Sequence, residues 1–254
     1  MPTPLENLIS LSHLVGTPDL DAAILGEGNT SIRVDADSFL VKASGCQLGT
    51  MTPADTVHLR FDRILALLEG TGAVDEQRLS AAYEAAKVDP RQAKRPSVET
   101  VFHAVALSLP GIAAVAHTHP TAVNMLTCAN GFPANLDGRL FPDEVVVLGQ
   151  KSLFVPYIDP GVILARTIRD LIQGFRDQHG CVPKSIYMQN HGFIALGTTI
   201  NEAHAITCMA IKAARIRLGT IQAGGIRRLD AAIATGLANR PDEKYREKLL
   251  AGGK

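Results

Sequence analysis

"GIAAVAHTHPTAVNM", residues 111–125, contains the stretch that decides the fold. Residues 112–116 are all apolar, as in a strand buried on both faces. Pro120 then opens "PTAVNMLTCAN", whose apolar residues recur at helical spacing. Just upstream, "SVETVFHAVALSLPG" (97–111) carries the helical period and stops before Pro110. Helix, strand and helix in about thirty residues predict an α/β protein.

The same reading extends outward in both directions. Toward the N-terminus, "SIRV" and "SFLVKAS" flank "DAD", a turn signal, and predict a hairpin. Leu5, Leu8, Ile9, Leu11, Leu14 and Val15 mark a helix over residues 4–15. "TPADTVHLRFDRILALLEG" shows the helical period only in its later half, and "DEQRLSAAYEAAKVD" predicts a more polar helix. Toward the C-terminus, "EVVVLG" and "SLFVPY" read as strands within an irregular stretch, residues 130–160. "DPGVILARTIRDLIQGFRDQHG" reads as a helix, and "PKSIYMQNHGFIALG" as two short strands meeting near "QNHG". "TTINEAHAITCMAIKAARIRLGTIQ" reads as a long helix capped by Thr198 or Thr199. One domain over residues 1–225 follows. Residues 226–254 form a charged, partly helical tail, expected to pack on the same domain or on a neighbouring subunit.

Bulk composition narrows the function classes. The 254-residue chain has 25 Lys+Arg and 25 Asp+Glu, so no basic excess points to nucleic acid or an anionic membrane. "MPTPLENLISLSHLVG" lacks the basic and long apolar regions of a signal peptide. No run approaches the ~18 apolar residues of a membrane span. Cys46, Cys128, Cys181 and Cys208 are widely spaced and read as reduced, mostly buried thiols of a cytoplasmic protein.

Histidine carries the first chemical signal. On a strand, residues i and i+2 share a face, so "HTH" sends His117 and His119 one way and Thr118 the other. Two imidazoles so placed suit zinc, which takes nitrogen ligands at about 2.0–2.1 Å. Alone, the pair reads equally as ordinary buried or surface histidine. His191 in "QNHG" is the best third ligand, because Gly192 lets the backbone approach closely. His13, His58, His179 and His204 lie in surface elements, a polar turn or the long helix.

Glu99 begins the helix that leads into the HTH strand. If the two pack antiparallel, Glu99 arrives near His117 and His119, as ligand, partner of a ligand, general base or simply a helix-dipole residue. His103 shares its helix face; it either joins Glu99 as a ligand or packs behind the site and orients it. Burial would raise the pKa of Glu99 and a nearby cation would lower it. "GEGNTS", "ASG" and "PSVE" are turns of the kind whose backbone N–H groups hold phosphate.

The ordered set "GEGNTSIR", "KASG", "PSVETVFHA", "AHTHP" and "NHG" resembles the class II aldolase/adducin family over about residues 5–220. That family includes fuculose-phosphate and rhamnulose-phosphate aldolases and ribulose-phosphate 4-epimerase. The resemblance implies a three-layer α/β/α sandwich around a largely antiparallel central sheet, assembled as a homotetramer. It implies zinc, or another divalent metal such as Mn2+ or Co2+, on His117, His119 and His191, with Glu99 as the catalytic carboxylate. A phosphorylated sugar would lie against Gly28, Asn29, Ser44, Gly45 and Ser97. The implied activity is reversible cleavage of a ketose phosphate to dihydroxyacetone phosphate and an aldehyde. The rival readings are epimerisation or decarboxylation on the same site, or an adducin-like binding module. Four departures or distinctions stand out. Val98 replaces the second serine of many aldolases. Tyr245, the only tail tyrosine, does not align with the aldolases' C-terminal tyrosine. Glu99 stands where the epimerase has aspartate, and the histidine set that adducin-type members lack is complete.

Overall fold

A short-range device sets the first hairpin. Asp35 Oδ1 accepts the Asp37 N–H at 2.8 Å and the Ser38 hydroxyl at 2.9 Å, a side-chain-closed turn of the kind aspartate favours. It joins β1 (Asn29–Arg33) to β2 (Ser38–Lys42) in antiparallel register, Ser31 opposite Val41. The structure, a computed structural model, describes residues 2–250.

Ahead of the hairpin lies α1 (Pro4–Val15), closed by a capping box between Thr3 and Glu6. After it come β3 (Thr56–Arg60), α2 (Phe61–Leu65), α3 (Glu76–Ala86), α4 (Thr100–Leu107), β4 (Ala114–Thr118) and α5 (Thr121–Thr127). The second half runs α6 (Pro142–Leu148), β5 (Leu153–Val155), α7 (Val162–His179), β6 (Ser185–Met188), β7 (Gly192–Gly197) and α8 (Ile200–Gln222). The N-cap of α8 is Thr199, whose side chain accepts the Glu202 N–H. The tail forms α9 (Ala231–Asn239) and α10 (Pro241–Leu250), which pack against α6 and α8 of this same chain.

The strands form one sheet in the order β3-β2-β1-β4-β7-β6-β5, antiparallel except for β5 beside β6. Two apolar cores lie on its opposite faces. One gathers Phe39, Val41, Val115 and Ile194 with residues of α2, α3, α4 and α7. The other gathers Ile32, Ala116 and Phe193 with residues of α1, α5 and α8. The result is helix, sheet, helix in three layers, as expected. Among the described residues, no helix is long and apolar enough to cross a membrane.

Two expectations are corrected, and one strand is added. "EVVVLG" lies in a helix, α6, not a strand. Pro142 stands in its first turn, Asp143 and Glu144 favour the dipole there, and residues 144–148 are all buried. "TVHLR", to which the sequence reading assigned no element, is a strand, β3. The cysteines are not mostly buried: Cys128 ends α5 and Cys181 lies in the turn after α7, both exposed, while Cys46 and Cys208 are half-buried. All four are free thiols.

Candidate active site and metal centre

β4 is central in the sheet, and pairing fixes its neighbours. Asn29 of β1 stands opposite His117, and Thr118 opposite Phe193 of β7. Along β4, Val115 and His117 face α4 while Ala114 and Ala116 face the other core. His119 follows directly after the strand, and His191 sits in the tight turn between β6 and β7. Asn190 there takes φ 52°, the left-handed conformation that asparagine tolerates. Asn124 of α5 pins this turn by donating from Nδ2 to the His191 carbonyl at 3.1 Å.

One ligand-type nitrogen from each of His117, His119 and His191 lies within 4.8 Å of the others. Four ligands at about 2.0–2.1 Å in a tetrahedron stand roughly 3.3 Å apart. His117 Nε2 and His119 Nε2 are 3.0 Å apart, close to that spacing. Their other nitrogens are engaged: His117 Nδ1 donates to the Phe193 carbonyl at 3.0 Å, and His119 Nδ1 to Glu27 Oε2 at 3.1 Å. Since a carbonyl and a carboxylate only accept, both Nδ1 atoms carry the proton. Two Nε2 lone pairs then face each other across 3.0 Å, an arrangement that calls for a proton or a cation between them. Burial pushes the His117 pKa down, but the Glu99 charge outweighs it and holds it above the ordinary value. That proton is the one a metal would displace. His119 is pushed down to about 4, by burial and then by the charges of His117 and His191. The donor set therefore fits a divalent cation such as zinc.

Glu99 caps the start of α4 and is buried against the histidines. Its Oε1 lies 3.0 Å from His191 Nε2 and 3.5 Å from His117 Nε2. Burial favours the neutral acid, but the two imidazoles prevail and hold the carboxyl well below the usual carboxylate range. The histidine contacts thus favour the charged carboxylate against the burial that opposes it.

His103 is no ligand. It lies four residues on from Glu99, fully buried, and joins a line of side chains behind it. Asn29 Nδ2 donates to Glu99 Oε2 at 2.8 Å. The amide oxygen of Asn29 thus faces His103 Nε2, so that nitrogen carries hydrogen and donates to it. His103 Nδ1 is left to accept from the Ser31 hydroxyl at 2.6 Å. Every donor points toward Glu99: Ser31, His103, Asn29, then the carboxylate. Strand period places Asn29 and Ser31 on one face of β1, and helical period places Glu99 and His103 on one face of α4.

The glycine turns converge on the same end of the sheet. The turn before β1 meets the one after β2: a Cβ on Gly26 would stand 3.3 Å from the Gly45 carbonyl oxygen. The buried Lys42 clamps the two, donating to the Gly26 oxygen at 3.0 Å and to the Cys46 oxygen. Ala43 bridges Pro96, and the Ser44 N–H donates to the Arg95 oxygen at 2.8 Å. Ser97 precedes α4 by a turn, its Oγ accepting the Glu99 N–H at 3.3 Å. Gly28, Ser44, Gly45 and Ser97 are thus gathered near Glu99. The Asn29 side chain is committed to Glu99 and His103, which leaves its backbone for the phosphate-binding part expected of that turn.

Two residues escaped the sequence reading. Glu27 holds His119, yet a lone acid between two glycines reads as an exposed turn. The role of Lys42 was hidden by its apolar neighbours in β2. Gly192, in contrast, gave a usable signal. A Cβ there would stand 2.6 Å from both the Thr118 carbonyl oxygen and the His119 ring. Gly192→Ala is expected to destabilise the fold by about 1–3 kcal/mol through overpacking and to lower metal occupancy. Thermal melting and metal analysis check this; unchanged values would show that the ring and strand yield freely.

Beside His119 opens a cleft of about 380 Å3, lined by Asp21, Ile24, Glu27, Asn124 and Met125 among others.

Comparison with known proteins bears on the family and the fold. Residues 6–218 match the family model of the class II aldolase and adducin N-terminal domain. A 3-oxo-tetronate 4-phosphate decarboxylase of Haemophilus influenzae is 25% identical over 217 residues, covering 85% of this chain and 87% of that protein. The N-terminal class II aldolase domain of a conserved Thermoplasma acidophilum protein superposes with TM-score 0.68 at 25% identity, covering 86% of this chain and 95% of that one. The L-fuculose-1-phosphate aldolase of Thermus thermophilus shares the fold at TM-score 0.58 and 19% identity, covering 87% of this chain and 98% of its own. The chain belongs to the class II aldolase and adducin family.

Proposed function

We propose that this protein is a zinc-dependent lyase that cleaves a ketose phosphate reversibly to dihydroxyacetone phosphate and an aldehyde. The observation that carries the reading is the placement of Glu99, its Oε1 turned to the three-histidine cluster and its Oε2 anchored by Asn29. His117, His119 and His191 would hold the cation, which supplies a Lewis acid for the substrate's ketone oxygen. In cleavage, the hydroxyl on the departing aldehyde carbon gives up its proton as the carbon–carbon bond breaks. Glu99 delivers a proton to the carbon left behind, the hydroxymethyl carbon of dihydroxyacetone phosphate, and in the reverse direction its carboxylate takes that proton away. The glycine turns with Ser44 and Ser97 seat the phosphate and so orient that carbon. The substrate is a phosphorylated sugar, the assembly a homotetramer and the location cytoplasmic.

A second reading rests on the Haemophilus influenzae relative. Loss of carbon dioxide from a 3-oxo-tetronate 4-phosphate also leaves a three-carbon ketone phosphate, dihydroxyacetone phosphate. Aldol cleavage and decarboxylation thus share one half-reaction, protonation of the same hydroxymethyl carbon, and differ in what departs. Epimerisation of a sugar phosphate would need the departing aldehyde to be recaptured. A non-catalytic adducin-like role gives no reason for a carboxylate buried against two imidazoles of a three-histidine cluster.

The shared half-reaction is the test. Incubated in D2O, the metal-loaded protein should exchange one hydroxymethyl hydrogen of dihydroxyacetone phosphate for deuterium, and a chelator should stop the exchange. Absence of exchange would overturn both lyase readings. A panel of ketose 1-phosphates and 3-oxo sugar-acid phosphates then separates them.

A further inference from the structure

We infer that Glu27 is a positioning residue for the metal centre, fixing the ring of His119 and strengthening it as a ligand. The inference rests on the metal-site reading above. The two strand-end histidines are held differently. His117 leans on a backbone carbonyl, that of Phe193, which no side-chain change can remove. His119 leans on a carboxylate, and an anion behind an imidazole makes the far nitrogen a stronger donor than a neutral carbonyl does.

The carboxylate is itself held in place. Glu27 Oε1 accepts the Ile24 N–H at 2.7 Å, and the Glu27 N–H donates back to the Ile24 oxygen at 3.2 Å. Between them Leu25 takes φ 52°, a left-handed conformation that costs a non-glycine residue energy and persists only where its surroundings enforce it. Asp21, at the other end of this segment, is also left-handed, at φ 53°. Residues 21–22 are clamped to the strand end, the His119 N–H donating to the Ala22 oxygen at 2.8 Å and the Thr121 N–H to the Asp21 oxygen at 3.2 Å. The strained segment therefore closes on one side chain, Glu27, whose second oxygen is presented to His119 Nδ1.

The test uses the full-length protein and zinc competition against a chelating dye, with cobalt absorption spectra as a second readout. Glu27→Ala is expected to weaken zinc binding by about 10–100-fold and to alter the visible cobalt bands. Glu27→Gln keeps one acceptor for two donors and should show a smaller loss in the same direction. If Glu27→Ala fails to fold, Glu27→Gln carries the test. Zinc affinity within about twofold of wild type in the folded variants, with unchanged cobalt spectra, overturns the positioning role, since it falls outside the range expected for such a partner. A wild-type protein that binds no stoichiometric zinc overturns the metal reading itself, a distinct outcome.

Discussion

Glu99→Gln is expected to lower deuterium exchange into dihydroxyacetone phosphate by about 10²–10⁴-fold while metal content stays at the wild-type level. The reason lies in the direction of the side-chain line behind it. Asn29 Nδ2 demands an acceptor at the position of Glu99 Oε2. A glutamine there must turn its carbonyl to Asn29 and its NH2 toward the histidines. The group facing the substrate then has no lone pair with which to take a proton. Neither size nor packing changes, so the loss isolates the proton transfer. Exchange within about threefold of wild type, at equal metal content, would remove Glu99 from the proton-carrying role.

His103→Ala is expected to cost about 3–5 kcal/mol of stability, combining a buried cavity with the stranding of Asn29 Oδ1 and Ser31 Oγ. For a chain of this size that is a fall of roughly 10 °C or more in melting temperature. Exchange activity should fall as well, because Asn29 is then free to rotate and Glu99 loses its anchor. His103→Gln can still donate to Asn29 and should recover part of both. The pH dependence separates this role from simple packing. Burial, and after it the His117 charge, pushes His103 down to about 3, whereas an unfolded histidine titrates near 6.5. Between those values the unfolded chain binds a proton that the folded one refuses, so stability falls as pH falls. The slope from this one group is about 1.4 kcal/mol per pH unit. Denaturant titrations from about pH 6 to about pH 4 should therefore be shallower in His103→Gln by that amount. Parallel stability lines for the two proteins would mean that His103 is charged in the fold.

Much of this site was legible because it obeys two simple periods. His117 and His119 share a side by the strand period, and Glu99 reaches them because a helix running into a strand must fold back on it. Gly192 announced a close approach, and the crowding there bears that out. What the sequence concealed depends on partners remote in the chain. Glu144 sits in "EVVVLG", and its carboxylate meets Arg217 of α8 at 2.5 Å; that long-range pairing accommodates the one charged residue of a run buried from 144 to 148. Asn29 looked like a turn residue for phosphate because its partner His103 lies 74 positions away. Glu27 was passed over for the same reason, with His119 92 positions distant.

The line from Ser31 to Glu99 holds the carboxylate but cannot conduct. An amide stands in it, and Asn29 has no acidic proton to hand on at neutral pH. Any proton on Glu99 Oε1 must therefore arrive and depart on the side shared by the histidines and the substrate, away from Asn29. A flat carbon seated there is approached from a single face. On the proposed reaction, exchange is then expected to take one of the two mirror-related hydrogens on the hydroxymethyl group of dihydroxyacetone phosphate and to leave its twin, a selectivity that follows from an asparagine side chain closing the far side.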